Sequence, residues 1–158
     1  MLVETASELA ESELAERVYE WNGEASWENL ELLADRGFLG SNFDEAHGGA
    51  GLSEFEALLL NEAIGRVCPD TAASLSSMHM TAPRTVDMFG TETAKEEYLP
   101  PLTEDGDFAA IYISEPEAVS DVHAMNTVVE ERDGNPVVNG EKAWVSRFEG
   151  ASTGVTWV

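Results

Sequence analysis

Few side chains in this sequence stand where chemistry would need them. His47, His79 and His123 lie far apart, with no i, i+4 pairing and no thiol neighbour, so each reads as a packed or solvated imidazole and no metal site is expected. The one cysteine, Cys68, can form neither an internal disulfide nor a multi-thiolate site. Ser114, Ser120 and Asp121 are close enough in sequence to suggest a nucleophile and its carboxylate, yet no G-x-S-x-G elbow surrounds either serine. Gly48, Gly49 and Gly51 follow a helical stretch and lack the lysine of a phosphate loop, so they read as a turn. With 31 Asp and Glu residues in the chain, composition alone selects no general base.

That acidity excludes whole classes of partner. Against 31 acidic residues stand 8 Lys and Arg, a formal net charge of −23 over 158 residues, which is the wrong sign for a nucleic-acid backbone or an anionic membrane surface. No apolar run approaches the roughly 20 residues of a spanning helix. The N-terminal Met1-Leu2-Val3-Glu4 has no basic signal-peptide region, and a cytoplasmic, reducing setting is expected. The charge is spread along the chain rather than gathered in a tail, and the apolar content is ordinary. A globular surface adapted to high salt, haloarchaeal in composition, fits this pattern.

The elements that must position any site change character along the chain. Leu2, Ala6, Leu9, Ala10, Leu14, Val18 and Trp21 recur at helical spacing, with Asn22-Gly23 as the stop. Ser26 is placed as the N-cap of a helix over 27–36, ended by Gly37. Ser53-x-x-Glu56 is a capping box before the apolar run 57–64. Pro69-Asp70 opens a helix expected to run to about Met88, and a Thr93-x-x-Glu96 box opens a short one stopped by Pro100-Pro101. From Phe108 the pattern turns β-branched and aromatic. Strands are expected over 108–114, at Val128-Val129, Pro136–Val138, Ala143-Trp144-Val145 and Val155–Val158, with Asp133-Gly134 and Asn139-Gly140 as hairpin turns.

Two segments of the β-like region are recognisable together. Ile111-Tyr112-Ile113-Ser114-Glu115-Pro116-Glu117-Ala118-Val119-Ser120-Asp121 resembles the flavin-binding signature of acyl-CoA dehydrogenases, which ends Thr/Ser-Glu-Pro-x-Ala-Gly-Ser-Asp. Asn139-Gly140-Glu141-Lys142-Ala143-Trp144-Val145-Ser146 is similar to that family's Asn-Gly-x-Lys-x-Trp-Ile-Thr/Ser segment. Gly37–Gly40, Gly48–Leu52, Phe89–Glu92 and Tyr98–Pro100 fall in the family's order, so the resemblance spans nearly the whole chain.

The resemblance implies an α+β chain: an N-terminal all-α domain over 1–107, then over 108–158 the start of a middle antiparallel β domain, with the family's C-terminal helical domain absent. It implies FAD as cofactor and an acyl-CoA substrate whose α-proton is taken by a base while the β-hydrogen leaves as hydride to the flavin. Electron-transfer flavoprotein is the implied acceptor, and the full-length family forms homo-oligomers. Carried over residue by residue, Ile111, Ile113 and Ser114 meet the flavin ring, Trp144, Val145 and Ser146 close its other side, and Ser120 contacts FAD phosphate or CoA. Ser74, Ser77 and Met78 are candidates for the acyl pocket. No catalytic residue is assigned: the family's base falls beyond Val158, and residues 1–158 alone are expected to show no turnover. Two departures stand out: Val119 replaces a usual glycine, and Arg147-Phe148-Glu149 replaces Asn-Gly-Gly. A non-catalytic remnant or assembly module, and an acyl-CoA oxidase of the same superfamily, are the alternatives.

The charge generates a first expectation. At about 1 M salt the Debye length is roughly 3 Å, against about 8 Å at physiological strength, so self-repulsion among 23 net negative charges is screened only in brine. The melting temperature followed by far-UV circular dichroism is expected to fall as salt drops from molar to millimolar, and an unchanged value would remove the high-salt reading.

Overall fold

Local signals write most of the helices. The computed structural model describes residues 2–18, 26–146 and 148–158. The chain divides into two compact units, Met1–Phe108 and Ala109–Val158, and is α+β: helices first, short strands after.

In the first unit, α1 (Leu2–Leu9) continues through a wide π-type turn (Ala10–Leu14) into a 3₁₀ turn (Ala15–Arg17). Ala6, Leu9, Ala10 and Leu14 are buried as the periodicity requires, while Leu2, at the first turn, is exposed. Trp21, Asn22 and Gly23 lie outside the described residues. In α2 (Trp27–Asp35) the Ser26 hydroxyl makes no cap bond, contrary to expectation; the Ser26 carbonyl accepts from the amides of Asn29 and Leu30 instead. The other end matches the reading: Gly37 has φ +68°, its amide donates to Ala34 O and that of Phe38 to Leu33 O, a Schellman closure.

α3 (Glu54–Gly65) carries both bonds of the Ser53/Glu56 capping box and buries Ala57, Leu60, Ala63 and Ile64. The helix expected to run to about Met88 is two helices, α4 (Pro69–Met80) and α5 (Ala82–Phe89), parted at Thr81. Pro83 is the cause: in a continuous helix its ring would clash with the carbonyl four residues back. That carbonyl, His79 O, accepts from Asn42 Nδ2 at 3.1 Å. α6 (Glu92–Glu104) corrects two expectations. Its cap is Thr91, whose hydroxyl accepts from Ala94 N, and it runs through Pro100 and Pro101 rather than stopping there. Each proline forfeits one helical bond, but burial of Leu99 and Leu102 holds the turn, and Thr103 Oγ1 donates back to Leu99 O at 3.2 Å.

The expected glycine turn over 48–51 is present, with Gly48 at φ +84° and Gly49 so close to the Phe43 carbonyl that any Cβ would collide with it.

In the second unit, β2 (Val128–Arg132) and β3 (Asn135–Asn139) form an antiparallel hairpin in the register Val129↔Val138, Glu130↔Val137. Asp133 and Gly134 both have positive φ, the type I′ geometry that an Asp-Gly pair favours. β1 (Phe108–Tyr112) pairs with β4 (Ala151–Thr156). Two expectations fail here. Ala143-Trp144-Val145 is not a strand, because Trp144 takes φ +55° and breaks the extended run, and Asn139-Gly140 is accordingly no hairpin turn.

His79 on α4 generates the second expectation. It is 1% exposed, and its Nε2 lies 3.0 Å from Phe38 O and 3.2 Å from Ser41 Oγ. Burial pushes its pKa below the ordinary 6.5, outweighing the Phe38 carbonyl and the Glu54 charge, which raise it. The unfolded chain therefore takes up the proton first, so the stability due to neutral His79 is complete above about pH 6.5 and declines as pH falls below it. The melting temperature is expected to drop between pH 6.5 and 5, with a shallower slope in His79→Gln; identical slopes would clear His79 of this role.

Candidate functional site

A carboxylate buried in a small unit must be met by donors, and Glu115 is 2% exposed. Four donors reach it. Asn126 N lies 2.6 Å from Oε2; Thr127 N lies 2.9 Å from Oε1, which also accepts from the Thr127 hydroxyl; and Lys142 Nζ lies 2.9 Å from the same oxygen. Lys142 also donates to Ile113 O at 3.0 Å and approaches Met125 Sδ at 3.5 Å. Led by the Thr127 hydroxyl and the Asn126 amide, these contacts outweigh burial and bring the Glu115 carboxyl from an ordinary 4.5 down to about 2.

The sequence places Glu115 at the start of a tight turn. Pro116 supplies the turn's fixed φ, and Glu115 and Ala118 exchange backbone bonds, Glu115 N to Ala118 O at 3.0 Å and Ala118 N to Glu115 O at 3.2 Å. Asp121 then caps a 3₁₀ turn (Val122–Ala124) through His123 N. The two recognisable segments, 111–121 and 139–146, therefore meet through Glu115 and Lys142, and through Ala143 N donating to Ser114 O at 2.9 Å.

The expected flavin-side residues fall around that junction in different environments. Ile111, Ile113, Ser114 and Val145 are half-buried, and Ser120 and Ser146 are exposed. Trp144 is 70% exposed although the backbone just before it is pinned. An open indole face with serine hydroxyls at 114 and 146 fits a planar ring with polar edges. Val119 is exposed and has no positive φ, so nothing in the backbone there calls for glycine. Arg147 lies outside the described residues; Phe148 is exposed and sits edge-on to Tyr112 at 6.4 Å.

The acyl-pocket candidates belong to the helical unit. Ser74 and Met78 are buried and Ser77 is half-buried; both serine hydroxyls donate within α4, to Asp70 O and Ala73 O. The larger cleft described in that unit, about 570 Å³, touches none of the three. Its cations are already matched, Arg84 by Glu54 and Asp87, and Lys95 by Glu92. Among the described residues no group of three or more His, Cys, Asp or Glu side chains could hold a metal, and no helix is long and apolar enough to cross a membrane.

Reasoning from the sequence missed Glu115, Thr127 and Lys142. One signal was present: the chain has only two lysines, and one of them falls at a fixed place in a recognisable segment.

Known proteins resemble this chain in sequence and fold. The family model described as "Acyl-CoA dehydrogenase, N-terminal domain" matches residues 1–105. The chain is 33% identical over 150 residues to acryloyl-CoA reductase (NADH) of Anaerotignum propionicum, covering 92% of this chain and 38% of that one. Butyryl-CoA dehydrogenase from Megasphaera elsdenii superposes with a TM-score of 0.86 at 27% identity, covering 98% of this chain and 42% of that one. An acyl-CoA dehydrogenase complexed with FAD from Bacillus anthracis superposes at 0.87 with 25% identity, covering 99% and 27%. The chain thus spans less than half the length of each.

The third expectation concerns acid. A carboxyl held near 2 when folded and 4.5 when unfolded contributes stability that is complete above about pH 4.5 and is lost as pH falls toward 2. In an acid titration followed by near-UV circular dichroism, the tryptophan signal is expected to fall through that window in the parent. Glu115→Gln is expected to start from a weaker signal at pH 7 and to lose less across the window. Parallel curves would mean that Glu115 carries none of the acid response.

Proposed function

Because the chain belongs to the acyl-CoA dehydrogenase family, we propose that it supplies the helical part and the flavin-facing edge of an FAD-dependent oxidoreductase that removes the α and β hydrogens of an acyl-CoA thioester. The observation that carries the reading is the meeting of the two signature segments at Glu115 and Lys142, which leaves the Trp144 indole open on a pinned backbone.

In this reading FAD, when bound, supplies the hydride acceptor. Ile111, Ile113 and Ser114 orient one side of the ring, and Trp144, Val145 and Ser146 cover the other and keep water from it. Ser120, exposed beyond the Pro116 turn, is the hydroxyl offered to FAD phosphate or to CoA. Ser74, Ser77 and Met78 serve the acyl chain. The α-proton is assigned to no residue of this chain, since none corresponds to the family's base. Electron-transfer flavoprotein is the proposed acceptor.

Flavin fluorescence tests the central claim without turnover. FAD titrated into residues 1–158 is expected to bind weakly and to be quenched by the stacked indole. Trp144→Ala is expected to cost about tenfold in affinity, the scale of one aromatic stacking contact. Superimposable titrations of parent and variant would remove Trp144 from the flavin edge.

A further inference from the structure

Trp144 holds a backbone conformation that a bulky residue disfavours, with φ +55°. Such outliers persist where their surroundings over-determine them. Here the constraint comes from both sides. Before Trp144, Lys142 directs its ammonium at Ile113 O, Glu115 Oε1 and Met125 Sδ, and the Ala143 amide is spent on Ser114 O. After it, β4 pairs with β1, and Trp157 N closes on Tyr112 O at 3.0 Å. Residues on both sides of the segment 144–150 are thus bonded to the single run 108–115.

The Glu115–Lys142 pair is unequal. Glu115 keeps two amide donors and the Thr127 hydroxyl without any help from Lys142. Lys142, by contrast, is the side chain that draws segment 139–146 down onto residues 113–115, beside the Ala143 amide bond to Ser114 O. Glu115 is a post, and Lys142 the tether made fast to it.

We propose that Lys142 is a positioning residue whose tether to Glu115 and Ile113 sets the left-handed turn at Trp144 and so keeps its indole presented to a ring ligand. Only the purpose of that presentation rests on the flavin reading; the tether itself is a property of the chain alone. A purely stabilising ion pair would act on the whole second unit evenly, whereas a tether acts on residues 143 and 144 and spares the post.

Amide exchange and backbone NMR of residues 1–158, without flavin, separate the two. In Lys142→Met the Ala143 amide is expected to exchange at least about tenfold faster, with loss of the positive-φ signature at Trp144, while Asn126 and Thr127 stay within about twofold of the parent. Unchanged exchange at Ala143 with Trp144 still left-handed overturns the proposal. So does a parallel rise at Ala143, Asn126 and Thr127, which marks mere stabilisation. If Lys142→Met leaves the unit unfolded, Lys142→Gln decides: it keeps a donor for Ile113 O but has no charge for Glu115, and the same selective loss, smaller in size, is expected. Equal loss at post and tether in that variant overturns the proposal. A positive result here beside a failed FAD titration would retire the flavin reading and leave the tether standing.

Discussion

The burial of one carboxylate organises the smaller unit. An ionised Glu115 out of water is costly unless each oxygen is met, and the donors that meet it come from two separated stretches, 126–127 and 142. Satisfying that charge brings together segments that have little apolar surface to draw them. β2 is exposed throughout and β3 nearly so, so hydrophobic burial gives this hairpin slight purchase. The order of a loop-rich unit is carried by polar groups that have to be paired.

The helical unit answers a related demand by different means. Its long loop between α2 and α3 is fastened by side chains that take up main-chain groups the helices leave over. Asn42 Nδ2 donates to His79 O and to Glu54 Oε2, Arg84 Nη1 donates to Asn42 O, and His79 Nε2 meets Phe38 O. The carbonyl freed by Pro83 at the break between α4 and α5 is thereby used.

What could be read from the sequence follows from how local each signal is. The Ser53/Glu56 box, the Gly37 stop and the Asp133-Gly134 turn depend on three or four neighbouring residues, and all three are as expected. Thr93 was expected as the cap because Glu96 follows at the capping-box spacing, yet Thr91 caps the helix, which begins two residues earlier. Pro100 and Pro101 looked like a stop because local rules cannot weigh the burial of Leu99 and Leu102. The strand expected at 143–145 failed for the same reason: Trp144 and Val145 favour extension, and bonds from 142 and 143 to residues 113–115 override them. Ser114, Trp144 and their neighbours were legible as members of two family segments. The pairing of Glu115 with Lys142, 27 residues apart, was not, since one glutamate among so many acidic side chains carries no mark of its partner.

The β2–β3 hairpin has a consequence for how this protein can change over generations. A strand with one buried face resists slipping, because a shift of one residue would turn its apolar side chains to water. Here neither face of β2 is buried, and of β3 only Val137 is even half-covered, so burial sets almost no register. The alignment of Val129 with Val138 is left to the Asp133-Gly134 corner, where both residues adopt positive φ. Burial therefore places little constraint on the identity of the strand positions before Asn139, while the two corner positions favour glycine, asparagine or aspartate. Variation and constraint lie side by side within twelve residues, divided by backbone geometry rather than by distance from any site.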